Sequence, residues 1–295
     1  MNRHLSFMAA VLLLVSSQMV FATDNTRRFA FEAVVDSEDS ATIRIPMGVA
    51  AGSDTELAVV DAHENRLIIF QFTGTEWIEK TKISLAGPPR AIGHDGNRYL
   101  VSMREGRGLI AVEGERHTLR PIFPPDGVVP GDVAGIPDGG FLVHDTAGDQ
   151  VLKLDRSGKV EASWKVEAGI VGLATARSGG FYTSIPVPGE IVRYDARGEL
   201  AGRWPVPPAA PVPAWPVALV QIDGDLVTLD RHSHRILSFD SKGQLVGTGA
   251  RRGWEPGLLL FPSAVAAFPD GRIIVADQMN GRVQIYRKIE VDPVQ

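Results

Sequence analysis

From Pro46 to Lys288 the chain is made of short runs in which apolar and polar residues alternate, each closed by Gly, Asp, Asn or Pro, and this period of two predicts β-strands. The pattern is clearest in V-L-K-L-D-R-S-G-K-V-E-A-S-W ending at Trp164, I-V-R-Y-D-A-R-G-E-L-A-G-R-W ending at Trp204, and I-L-S-F-D-S-K-G-Q-L-V-G-T-G ending at Gly249. In each copy a strand runs into Asp-x-x-Gly, whose carboxylate takes up turn N–H groups, and a second strand follows. The turn aspartates Asp155, Asp195 and Asp240 lie 40 and 45 residues apart.

A second landmark stands upstream in each unit, where an apolar strand meets Asp and a short turn before the chain returns through another apolar strand. It occurs at Asp61, Asp145, Asp230 and Asp277, with Met103 and Ile185 at the matching positions of the two remaining units. The spacings are 42, 42, 40, 45 and 47 residues. Two landmarks recurring together at that interval are the sign of propeller blades. Ahead of each landmark lies a third element rich in small residues, such as Gly48-Val49-Ala50 and Ala264-Val265-Ala266, as the crowded innermost strands of a propeller require.

These observations predict an all-β protein, a six-bladed β-propeller with four-stranded blades over residues 46–86, 87–127, 128–167, 168–207, 213–250 and 260–288. The last unit lacks an outer strand, and residues 27–35 alternate without being needed by the first. That N-terminal strand is expected to close the ring in the last blade and to leave no long open edge.

The last unit, G-W-E-P-G-L-L-L-F-P-S-A-V-A-A-F-P-D-G-R-I-I-V-A-D-Q-M-N-G-R-V-Q-I-Y, resembles the NHL repeat in its Pro-Gly approach, its Asp-Gly turn and its Asp-to-Arg hairpin. The fifth unit resembles it nearly as well. The resemblance implies a scaffold and not a reaction. Residues five apart across a four-residue turn face each other, so Asp61 is expected to reach Arg66, Asp230 to reach Arg235, and Asp277 to reach Arg282. The pairs are read as structural, exposed, and worth at most about 1 kcal/mol each. The aspartates matter more as acceptors of turn N–H groups.

The N-terminus adds a compartment. Arg3 supplies positive charge, Phe7 to Val20 is mostly apolar, and Val20-Phe21-Ala22 suits cleavage, so residues 1–22 read as a signal peptide and residues 23–295 as one exported domain. The apolar run is short for a membrane-spanning helix, and no integral membrane segment is expected after cleavage. The chain has no cysteine, which excludes disulfides and thiolate metal sites and suits a bacterial periplasmic or secreted protein. A net charge of −5 argues against nucleic acid as a partner. A monomer is expected.

Similar exported propellers include lactonases, arylesterases and lyases with calcium or zinc on the axis, so the resemblance implies inward-facing carboxylates, amides or histidines on several inner strands. At the entry to its inner strands this chain offers Met47, Arg90, Asp132, Gly169, Trp215 and Ser263, a poor set for calcium. Arg90, Asp132 and Trp215 are the best ligand-binding candidates, with one cation, one anion and one aromatic surface at the channel mouth. An Arg/Asp pair that merely plugs the channel is the alternative. His63, His232 and His234 are candidate zinc ligands, but they are read as solvated turn histidines, since they sit on middle-strand hairpins away from the axis. Trp164 and Trp204 occupy equivalent outer-strand positions and are read as blade-to-blade packing.

Two functions stay open. One is a binding module without a cofactor, for a protein, peptide or glycan of the cell envelope. The other is a metal-dependent, lactonase- or esterase-like hydrolase or lyase, with Ca2+ or Zn2+ in the channel.

Overall fold

The protein is described by a computed structural model that covers residues 27–35, 43–104, 108–137 and 139–290; the expected signal peptide, residues 1–22, lies outside them. The chain begins with β1 (Arg27–Val35). The first sheet holds β2 (Pro46–Ser53), β3 (Glu56–Asp61), β4 (Arg66–Phe72) and β5 (Trp77–Ser84). The second holds β6 (Pro89–His94), β7 (Tyr99–Met103), β8 (Leu109–Glu113) and β9 (Thr118–Ile122). The third holds β10 (Pro130–Gly135), β11 (Phe141–Asp145), β12 (Gln150–Leu154) and β13 (Val160–Lys165). The fourth holds β14 (Gly172–Thr175), β15 (Phe181–Ile185), β16 (Glu190–Tyr194) and β17 (Leu200–Pro205).

The rest of the chain supplies β18 (Pro216–Ile222), β19 (Asp225–Asp230), β20 (Arg235–Phe239), β21 (Leu245–Gly249), β22 (Ala264–Ala267), β23 (Arg272–Asp277) and β24 (Arg282–Glu290). These strands join β1 in one eight-stranded sheet, in the order β18-β19-β20-β21-β1-β24-β23-β22. The expectation of six separate four-stranded blades is therefore corrected: the described residues form four four-stranded blades and one eight-stranded sheet. The cause is a second pairing of β1. It runs antiparallel to β24 along its length, and Arg27, Arg28 and Phe29 also pair in parallel with Gly247, Thr248 and Gly249 of β21. A side chain on Gly249 would stand 2.5 Å from the Phe29 Cβ, so the bare glycine is what lets β1 come close enough to bond on both edges.

Burial explains why period-two alternation is clearest in the outer strands. In β5 and β13 buried or half-buried positions alternate with exposed ones, whereas β7, β11 and β15 are buried at every residue. Apolar side chains of adjacent sheets interlock, as where Leu100 and Leu109 meet Phe141, Val143 and Leu152. Each such side chain contributes about 1.5–3 kcal/mol on burial. The innermost strands β2, β6, β10, β14, β18 and β22 touch in sequence, and β22 touches β2, so the sheets close around an axis.

The four landmark aspartates each hold the approach to the inner strand of their own unit. Asp61 accepts the N–H groups of Arg44, Ile45 and His63 at 3.0–3.1 Å; Asp145 accepts Val129, Asp230 accepts Trp215, and Asp277 accepts Leu260. Arg66, Arg235 and Arg282 complete the pairs, and Gln150 takes the arginine's place at Asp145. These aspartates are buried, with Asp61, Asp230 and Asp277 at 0 % exposure, so the expectation of exposed ion pairs is corrected. Burial acts to raise the Asp61 carboxyl pKa, but the N–H groups of Ile45, Arg44 and His63 and the Arg66 side chain outweigh it and hold the pKa below the usual range.

Candidate functional site

Six inner strands that meet at small residues leave a central cavity of about 1000 Å³ along the axis. Its wall is mostly backbone, alanine and valine. Strand direction divides the ring into two faces. Loops leading into inner strands and hairpins after second strands lie on the entry face, and the remaining turns lie on the far face. Among the described residues lining the cavity, four arginines, Arg90, Arg104, Arg177 and Arg231, stand against one carboxylate, Asp132. Arg90, Arg104, Arg231, Asp132, Met47 and Gln278 belong to the entry mouth; His94, Thr175, Arg177 and Gln221 belong to the far end.

Arg90 and Asp132 both line the cavity, whereas Trp215 does not. The Trp215 ring stacks on His232 at 4.6 Å, and the residue's backbone N–H donates to Asp230. The inner strands share a bulge just after an equivalent proline, Pro89, Pro130 or Pro216, and Arg90, Asp132 and Trp215 stand one after, two after and one before it, so they were never at one position. Once the strands are aligned on their pairs, Ile92, Val133 and Leu219 are equivalent, so Arg90 matches Gly131 and Val217. Asp132 falls where the other inner strands have Gly48, Ala91, Gly172, Ala218 and Ala264.

Asp132 is a strap between blades. One carboxylate oxygen accepts the N–H of Leu173 in the next inner strand at 2.7 Å, and the other accepts Val133 at 3.0 Å. Burial pushes its pKa up to about 6, against the opposing pull of those two N–H groups and the charge of Arg90. Nearby His144, only 3 % exposed, has no hydrogen-bond partner at either ring nitrogen among the described residues. Burial and then the Arg90 charge lower its pKa to about 4, so the ring is neutral.

Arg90 itself has no hydrogen bond or ion pair among the described residues. Arg231 is engaged at both terminal nitrogens, donating to the Phe261 and Pro262 carbonyls at 3.0 Å and to Gln278 Oε1. Gln278 Nε2 in turn donates to Met47 Sδ at 2.8 Å, and Arg104 Nη2 approaches the same sulfur at 3.9 Å. No local pattern signals this chain of contacts across the entry mouth, because Gln278, Arg104 and Met47 come together only when the ring closes.

The three candidate zinc histidines are not brought together. His63 lies 3.6 Å from Glu64, His232 stacks on Trp215, and His234 accepts the Phe261 N–H at Nδ1 at 2.9 Å. His234 is 5 % exposed, which corrects the reading of all three as solvated. Among the described residues no group of three or more His, Asp or Glu stands close enough to share a metal ion.

This geometry defines a β-propeller, and comparison with known proteins agrees. Residues 259–286 match the NHL repeat family. No curated protein matches the chain by sequence. Among solved structures, a streptogramin B lyase superposes with TM-score 0.63 at 14% identity, over 88% of this chain and 98% of that one. The virginiamycin B lyase of Staphylococcus aureus gives 0.60 at 13%, over 88% and 99%. The WD40 propeller domain of Doa1 gives 0.63 at 13%, over 88% and 96%. Likeness at this level of identity shows the shared fold alone.

Proposed function

We propose that this protein is an exported binding module of the cell envelope whose partner, a protein or peptide, docks on the entry face of the ring. The observation that carries the reading is the placement of exposed apolar side chains. Among the described residues the four most exposed large hydrophobics are Phe123 at 82 %, Val187 and Trp254 at 71 % and Met279 at 62 %. All four stand on entry-face loops or hairpins, at the approaches to β10 and β22 and in the turns after β15 and β23. The far face carries the polar Asp-x-x-Gly turns of Asp155, Asp195 and Asp240 instead. Apolar residues gathered on one side of a water-exposed ring mark an interaction surface, and Trp and Met are favoured in such surfaces. The apolar run from Phe7 to Val20 supports export.

The test is affinity capture from envelope extract with three proteins: the intact chain, the entry-face variant Phe123→Ser/Trp254→Ser, and the far-side variant Leu200→Ser. The reading expects one set of captured partners for the intact chain and for Leu200→Ser, and its loss for the entry-face variant. Equal capture by all three would remove the entry face from the function.

A further inference from the structure

We infer that the entry mouth of the channel is an oxyanion site that takes a carboxylate of the docked peptide. This rests on the entry-face reading above and gives it a chemistry. The mouth is rich in donors and poor in acceptors. Arg90 carries five N–H donors and meets no acceptor among the described residues. Arg104 Nη2 and Gln278 Nε2 both turn toward Met47 Sδ, and a thioether is a weak acceptor. The Gln278 oxygen is taken by Arg231, which leaves its NH2 group to face the sulfur. The one carboxylate in the described lining, Asp132, is committed to the Leu173 and Val133 N–H groups.

An oxyanion entering between Arg90 and Arg104 supplies the acceptors that the wall lacks. Charge-assisted bonds of that kind are short and about twice as strong as neutral ones. Ala91, Val49 and Val133 line the wall beside them and offer no competing side-chain charge. Met47, unbranched and flexible, can move aside from Arg104 and Gln278 without disturbing the strand that bears it. A carboxylate is chosen over phosphate because the surrounding face is apolar and a singly charged oxyanion gives up less hydration there, while its two oxygens still fit a guanidinium's paired N–H groups.

Fluorine NMR titration tests the site with small probes: 4-fluorophenylacetate, its neutral amide 4-fluorophenylacetamide, and inorganic phosphate as competitor. The acid is expected to bind at least about tenfold more tightly than the amide, the margin of an arginine contact. The double variant Arg90→Gln/Arg104→Gln should bring the acid to the level of the amide, while Arg177→Gln at the far end leaves it unchanged. Equal binding of acid and amide by the native protein overturns the proposal without any variant, and so does full acid affinity in the double variant. Tighter binding of phosphate than of the acid overturns the carboxylate assignment. Loss of partner capture by the Phe123→Ser/Trp254→Ser variant is independent of these titrations, so failure of either reading is seen separately.

Discussion

The indole of Trp164 lies on the bare α-carbon of Gly198: a Cβ built there would stand 2.0 Å from the indole Cδ1. Gly198 closes the Asp195 turn of the next blade and has φ +76°. Trp204 meets Gly243 of the Asp240 turn in the same way, at 2.3 Å and φ +80°. The Asp-x-x-Gly turn is thus also a socket for the preceding blade's outer strand. Gly198→Ala and Gly243→Ala should each cost about 2 kcal/mol or more, because a side chain there is strained as well as obstructed. Gly202→Ala, where a Cβ has 3.6 Å of clearance from Trp204, should change little. Urea unfolding of the three variants measures the difference.

Asp61 receives three backbone N–H groups and an arginine. Asp61→Ala leaves those donors buried without an acceptor, and a loss of about 3–5 kcal/mol is expected at pH 7. The folded-state pKa of Asp61 is below its ordinary value, so its contribution is complete above the ordinary carboxylate range and is lost as the pH falls through the folded pKa. The deficit of the variant should therefore shrink in acid. A deficit independent of pH down to the acid transition would contradict the assigned role.

Asp132 has the opposite sign. Its pKa is raised to about 6 in the fold, so the native state holds the proton more firmly than the unfolded chain does. Stability from this group is greatest below the ordinary carboxylate pKa and declines as the pH rises to about 6. Asp132→Asn keeps an acceptor for Leu173 and cannot ionise. The melting temperature of the variant relative to the native protein should rise between pH 4 and pH 7 and then level off, which thermal unfolding across that range will show.

Two inner strands approach closely at Gly135, where a Cβ would stand 1.7 Å from the carbonyl oxygen of His94. Gly135→Ala must push β10 away from β6 and open the ring wall. Strong destabilisation is expected, larger than that of Gly198→Ala, because the obstruction is backbone that cannot rotate aside. Comparing the urea midpoints of the two variants checks this order.

Much of this was legible in residue order. Asp155, Asp195 and Asp240 each bind the N–H groups two and four residues on, so those turns are local and any short segment of the chain encodes them. The Asp61–Arg66 pairing is equally local, being the register of one hairpin. Its burial was not legible, because the residues that cover Asp61 precede it by 16 and 17 positions.

By itself, then, the sequence determined the strands, their turns, the repeat and the small residues at the axis, since period-two alternation and turn chemistry act over a few residues. Only the tertiary structure decided that β1 bonds to both β21 and β24, that the pairing register puts Asp132 and Trp215 out of line with Arg90, and that Met47 gathers Arg104 and Gln278 across the channel. These contacts join residues far apart in the chain, Arg27 with Glu290 and Met47 with Gln278 among them. They depend on how the ring closes, which no local run of residues contains.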